Sequence, residues 1–437
     1  MQTTLAPAIK DTPQGQEATA ILRSCVHCGF CLATCPTYQL LGDELDSPRG
    51  RIYLMKEMLE GAPVTTDTQL HLDRCLTCRS CETTCPSGVR YGKLLDIGRA
   101  VAEERVERQP FVALKRFALR KVLPHRRRFA VAYALARLLR PVLPREIRGK
   151  VPEKTDPGAH SAHTGAQPPR AWPEARHARK MLILEGCVQP TLAPQSNLAA
   201  AHVLDRMGIS LIRVPASGCC GAVAHHLSAP AETHRQLRHN IDVLWPHIQS
   251  GAEAIVMTAS ACTAMLTDYG PLLKEDPVYA QRAARVSELA RDVSEIVMAN
   301  ADALGTLVAP NPPTALNVEP PVKVAFHSPC TLQHALKVRG VVESLLAKAG
   351  FTLVPVPDGH LCCGSAGTYS ILQPELSARL LSAKVSALEQ GNPAVIATAN
   401  IGCQTHLRSG TAIPVRHWIE LLDAALNGRS PHAPGLN

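Results

Sequence analysis

A chain of 437 residues is too long for one hydrophobic core, so two or three domains are expected. With 46% hydrophobic and 19% charged residues it is not a disordered chain, and 4% aromatics leave the cores to Ala, Leu and Val. An excess of nine Lys and Arg over Asp and Glu is moderate and by itself specifies no partner.

The opening stretch MQTTLAPAIKDTPQGQEATA lacks a basic start followed by an apolar run, and no uncharged apolar run of about eighteen residues follows anywhere. The expectation is a cytoplasmic protein without signal peptide or membrane span. Sixteen cysteines in that compartment point to metal or redox chemistry rather than to disulfides.

Two cysteine runs come first. CVHCGFCLATCP places Cys25, Cys28, Cys31 and Cys35, and CLTCRSCETTCP places Cys75, Cys78, Cys81 and Cys85, each fifty residues after its counterpart. Both are C-x2-C-x2-C-x3-C-P, the spacing of bacterial two-cluster ferredoxins. Three thiolates within seven residues wrap one face of a [4Fe-4S] cube, and the fourth reaches the other cluster. The spacing therefore assigns Cys25, Cys28, Cys31 and Cys85 to one cluster, and Cys75, Cys78, Cys81 and Cys35 to the second. A zinc site would use two separated C-x2-C pairs and leave the third cysteine of each run surplus. Pro36 and Pro86 turn the chain out of the loops. His27 reads as a neighbour of the first cluster, and Arg79 as a charge-tuning or solvent-facing side chain. Between the runs, Ser47 and Pro48 open a helix that Gly61 can end, with Ile52, Met55, Met58 and Leu59 at helical spacing. Arg49 and Arg51 lie either near the anionic clusters or on a solvated face.

Residues 111–150 hold twelve Lys and Arg against the single acidic Glu146. Apolar residues recur there at roughly helical spacing, broken by Pro124, Pro141 and Pro144. Basic amphipathic helices dock on partners, lie peripherally on an anionic membrane face, or simply connect domains. No recognition fold accompanies the charge, so nucleic acid is not expected. Residues 151–177, rich in Pro, Ala, Gly and His, read as a flexible linker in which His160, His163 and His177 have no special role.

The C-terminal half is a repeat. Cys187, Cys219, Cys220 and Cys262 are followed by Cys330, Cys362, Cys363 and Cys403; the first interval is 32 residues in both sets, and the last is 42 and then 40. Matching segments surround them. KMLILEGC and KVAFHSPC, ISLIRVPASGCCG and FTLVPVPDGHLCCG, and EAIVMTASAC and AVIATANIGC read as strands running into cysteine. Helical segments lie between. Each repeat is thus β-α-β-α-β, a parallel sheet with helical crossovers. Ligands of such sheets bind at the carboxyl ends of the strands, so the cysteines of each repeat should converge there as a redox or cofactor site. His225 and His226 occur in the first repeat only and are not counted as ligands. The expected domains are a helical ferredoxin-type 2[4Fe-4S] domain (1–110), a basic connector and linker (111–177), and Cys-Cys-Gly repeats at 178–300 and 320–430.

These stretches, together with LEGCVQPTL, SGCCGAV, CTLQHA, HLCCGSAGTYS and TANIGCQTH, resemble the iron-sulfur subunits of bacterial glycolate oxidase over nearly the whole chain. The C-terminal half is also similar to the Cys-Cys-Gly domains of heterodisulfide reductase and of anaerobic glycerol-3-phosphate and lactate dehydrogenase subunits. The resemblance implies an electron-transfer subunit. It would take electrons from a flavoprotein partner that oxidises glycolate to glyoxylate and pass them towards quinone. A lactate or glycerol-3-phosphate donor and a zinc-bound scaffold are the alternatives. It also implies a gap, because Ala259 and Asn400 stand where fuller relatives have cysteine. The Cys-Cys-Gly sites are then open between a further cluster, a quinone pocket and a relic. No catalytic residue for the substrate itself is identified.

Overall fold

The computed structural model describes residues 1–142, 170–302 and 321–428. Residues 1–142 form helices and turns without a strand. The Pro48–Glu60 helix begins where the Ser47 hydroxyl accepts from the Gly50 N–H at 2.9 Å, and ends at Gly61, whose φ of 110° suits a residue without Cβ. Its Ile52, Met55, Met58 and Leu59 are buried, with Leu94, Leu95 and Ile97 of the Tyr91–Arg105 helix, in one core that also holds Cys25 and Cys81. Arg51 is not on a solvated face. It is fully buried, donating to His71 O (2.7 Å), Thr37 Oγ1 (3.1 Å) and Asp46 Oδ1 (3.1 Å).

The connector forms two helices, Pro110–Val122 and Arg126–Leu138. Both are tied to their surroundings. Arg116 pairs with Glu103 at 3.4 Å, Lys121 with Glu232 at 2.9 Å, and Arg126 donates to Gly186 O at 2.9 Å. Residues 151–169 of the expected linker, with His160 and His163, lie outside the described residues, as do Pro144 and Glu146. The remainder of it, 170–177, is not a free tether. Trp172 Nε1 donates to Leu211 O at 2.9 Å, and His177 Nε2 lies 2.9 Å from Asp205 Oδ1.

Each repeat carries a four-stranded all-parallel sheet. The first comprises β1 (Arg179–Ile183), β2 (Ile209–Arg213), β3 (Ile255–Met257) and β4 (Ala290–Asp292), in the order β2-β1-β3-β4. The second repeats that order with β5 (Lys323–His327), β6 (Thr352–Val354), β7 (Val395–Thr398) and β8 (Val415–His417). The expected three-stranded unit is corrected to four. The added strands β4 and β8 are three residues each, reading ARD and VRH, too short and too polar to show a strand pattern. The chain leaves β1 on one side to form β2 and returns on the other to form β3, so β1/β3 is a topological switch point. The Pro194–Arg206 helix packs on the Trp418–Leu426 helix, and Val203, Leu204, Val324, Leu345, Trp418 and Leu422 belong to one core spanning both repeats. Among the described residues no helix is long and apolar enough to cross a membrane.

Candidate metal centres

All sixteen cysteines are free thiols. Two cavities collect the eight N-terminal ones. One is lined by Cys25, Cys28, Cys31, Cys81 and Cys85. An adjoining one is lined by Cys35, Cys75, Cys78 and Cys81. The first takes three thiols from the first run and two from the second; the adjoining one takes three from the second run and Cys35 from the first. The loops need unusual backbone: His27, Thr77 and Arg79 all have φ between 56° and 59°.

The donor set fits an iron–sulfur cluster. Burial pushes the Cys31 thiol up to about 11 and those of Cys78 and Cys81 well above the ordinary range. Neighbouring cysteines add to the rise, so the thiolates need a bound cation to form. Polar hydrogens already face the sulfurs: Thr77 N–H to Cys75 Sγ at 3.4 Å, Tyr91 O–H to Cys75 Sγ at 3.7 Å, and Val89 N–H to Cys85 Sγ at 3.5 Å. Such bonds favour the anionic, reduced state of a cluster. Buried Arg51 supplies a fixed positive charge near Cys75 and Cys35.

The two cavities differ in position. The first lies at the surface, beside an exposed Cys28 and the side chains of Val26 and Phe30, 67% and 62% exposed. The second is interior. There Leu76 and Cys78 share a packed cluster with Cys330, Cys362 and Tyr369 of the second repeat.

The Cys-Cys-Gly cysteines gather as their strand positions require. In the first repeat, Cys187 touches Cys219, Cys219 touches Cys220, and Cys220 touches Cys262. Cys219 is held well below the usual thiol range by hydrogen bonds from Cys187 and Cys220, whose own thiols are pushed up. Asn240 Nδ2 donates to Cys219 O at 2.7 Å and Tyr269 O–H to Cys220 O at 2.9 Å, fixing the turn. In the second repeat the order is Cys330, Cys362, Cys363, Cys403. Asn400 turns its Nδ2 to Cys403 Sγ at 3.6 Å, while Ala259 is simply buried.

A central cavity of about 270 Å³ reaches Cys75, Cys330, Cys362 and Cys403. Phe111 and Val112 of the connector, Tyr369, and the pair His225 and His226 also line it. The cysteines of the first repeat do not. His225 Nε2 lies 3.2 Å from Asp96 Oδ2, and Arg79 Nη2 lies 2.8 Å from Asp268 Oδ2. Arg79 is therefore a tie to the first repeat, not a solvent-facing group.

Comparison with known proteins agrees with this layout. The 4Fe-4S dicluster domain family matches residues 21–89, and the cysteine-rich domain family matches residues 181–267 and 324–408. The glycolate oxidase iron-sulfur subunit of Escherichia coli (strain K12) is 52% identical over 98% of this chain and 99% of its own length. The chain belongs to the glycolate oxidase iron-sulfur subunit family. It is an iron–sulfur protein with a duplicated cysteine-rich half. Within that family the probable glycolate oxidase iron-sulfur subunit of Bacillus subtilis (strain 168) is 29% identical over 89% of each chain. Lactate utilization protein A of an Exiguobacterium species is 27% identical over only 54% of this chain, though it is spanned for 94% of its own length.

Sequence reasoning missed Asp96 and Lys384. Lys384 is 3% exposed, donates to Asp358 O at 2.7 Å, and lies near Cys362, Cys363 and Cys403. Aligning the repeats from the prolines that open the two helices, Pro230 and Pro374, exposes it, because the Pro230–Gln249 helix has the neutral Asn240 at the matching position.

Proposed function

We propose that the chain is the electron-transfer subunit of a glycolate oxidase (glycolate dehydrogenase) complex. The full-length likeness to the Escherichia coli subunit carries this reading. A flavoprotein subunit oxidises glycolate to glyoxylate, removing two electrons and two protons. Two [4Fe-4S] clusters, when bound, carry electrons one at a time. Cys25, Cys28, Cys31 and Cys85 hold the first; Cys75, Cys78, Cys81 and Cys35 hold the second.

The positions of the two cavities support a direction. The surface cavity faces a partner, and the interior one adjoins the second repeat. The acceptor is a quinone, which takes up two electrons and two protons. The central cavity suits its ring, being largely apolar, bordered by Cys75 and Cys330, and furnished with His225 and Asp96 as a proton relay. The corresponding domains are 1–110, 111–177, 178–300 and 320–430. A lactate donor is disfavoured by the partial span of the lactate utilization relatives.

The test is anaerobic purification with its flavoprotein partners. About eight irons in the N-terminal clusters, and quinone reduction with glycolate outpacing that with lactate, are expected. Cys85→Ser should remove the first cluster and Cys35→Ser the second, each costing about four irons. Loss of the second cluster in Cys85→Ser and of the first in Cys35→Ser, the uncrossed outcome, would overturn the crossed assignment. Lactate turnover exceeding glycolate turnover would overturn the donor.

A further inference from the structure

The two repeats are alike in their thiols and unlike in what stands beside them. His327 ends β5, three residues before Cys330. It is 2% exposed, and neither ring nitrogen has a hydrogen-bond partner. A ring nitrogen of His327 and the sulfurs of Cys363 and Cys403 all lie within 4.8 Å of one another. The first repeat has Leu184 at the same place, 1% exposed.

An imidazole buried with both nitrogens unsatisfied is costly, and the leucine of the sister repeat shows that this strand end folds without one. The usual compensation, a carbonyl or carboxylate on the ring, is missing. What the ring does face is a pair of thiols at ligand spacing. A tetrahedral ion with sulfur at about 2.3 Å and nitrogen at about 2.0–2.1 Å brings its ligands to within about 4 Å of each other. Lys384 supplies the second asymmetry. Its ammonium, buried near the same sulfurs where the first repeat has the neutral Asn240, balances negative charge left over from thiolates on a divalent ion.

We propose that the second repeat holds a third metal centre, ligated by the His327 imidazole together with Cys363 and Cys403, and that the first repeat does not hold its equivalent. The ion is a borderline transition metal, iron or zinc, for which mixed imidazole–thiolate ligation is suited. Cys362 touches Cys363 and completes the donor set, with Cys330 beyond it facing Cys78. The centre thus stands directly behind the interior cysteine cavity.

The experiment uses the full chain isolated anaerobically, with iron and zinc counted together. Wild type is expected to carry about one metal equivalent beyond the iron of the N-terminal clusters. His327→Leu, the residue the first repeat tolerates, should lose that equivalent and keep the rest; Cys187→Ser, in the first repeat, should lose nothing. The nitrogen ligand is read without any variant. Zinc shows it at its own X-ray absorption edge, and iron by nitrogen coupling in spin resonance of histidine-15N-labelled protein. The absence of an additional ion, the absence of nitrogen on it, or its full retention in His327→Leu would overturn the proposal. These readouts are independent of the donor substrate, and the N-terminal clusters are scored separately through Cys85→Ser and Cys35→Ser.

Discussion

Asp96 and His225 are 129 residues apart in sequence, yet their side chains meet at 3.2 Å across the contact between the cluster domain and the first repeat. Burial opposes the charge on both. For Asp96 it is outweighed by His225, His226 and Arg79, which hold the carboxyl at about 2; for His225 it is outweighed by Asp96, which raises the imidazole. A raised His contributes stability fully below its unfolded value near 6.5 and loses it as pH rises through the folded value. A depressed Asp contributes above its unfolded value near 3.9 and loses it as pH falls towards about 2. The pair is therefore strongest between about pH 4 and 6.5. Asp96→Asn should cost about 1–3 kcal/mol at pH 6, and less at pH 8. Denaturant titrations at the two pH values check this, and an equal loss at both would refute the ion pair. Nothing in the sequence links these residues, whereas the ligands of the two ferredoxin runs are legible because three of every four lie within seven residues. Arg51 falls between: helical spacing placed it on a helix, but only the fold shows Asp46 and Thr37 closing over it.

At the scale of elements, the Cys-Cys-Gly turn depends on its glycine. Gly221 and Gly364 have φ of 98° and 87°. A Cβ on Gly364 would stand 2.8 Å from Ser377 O and 2.9 Å from Leu380 Cβ, both on the Pro374–Glu389 helix. The helix thus presses directly on the turn that presents Cys362 and Cys363, and the Ser377 hydroxyl donates to Gly364 O at 2.8 Å. Gly364→Ala combines left-handed strain with a backbone collision, and should destabilise by about 1–3 kcal/mol. Thermal unfolding with the N-terminal clusters monitored by their colour would show it; an unchanged midpoint would mean that the helix shifts without resistance. The duplication made β1–β3 and β5–β7 readable, since each is followed by a marked cysteine. Strands β4 and β8 carry no cysteine and no apolar run, and exist because the sheet edge beside β3 and β7 offers hydrogen bonds to any extended segment that reaches it.

Taken whole, the described residues leave an apolar stripe uncovered along the connector. The connector helices use one side to bind the domains, through Arg116, Lys121 and Arg126. On the other, Val131, Leu135, Leu138 and Val142 recur at helical spacing and are 52–77% exposed, with Phe111 and Leu114 of the preceding helix at 75% and 63%. Arg127, Arg128, Arg137 and Arg140 lie on the same stretch. An apolar stripe beside clustered positive charge matches an anionic lipid surface, where acyl chains take the leucines and headgroups the arginines. A quinone acceptor would be delivered from that surface, and Phe111 also lines the central cavity. The chain should therefore sediment with vesicles containing anionic lipid, less so with neutral ones, and less again as salt rises and the Debye length shrinks. Leu135→Asp with Leu138→Asp removes two leucines' worth of burial, about 1.5–3 kcal/mol each, and should weaken vesicle binding by at least about tenfold. Sedimentation with the flavoprotein partners but not with lipid, lost in the same double variant, would instead assign the stripe to the complex and exclude the membrane role.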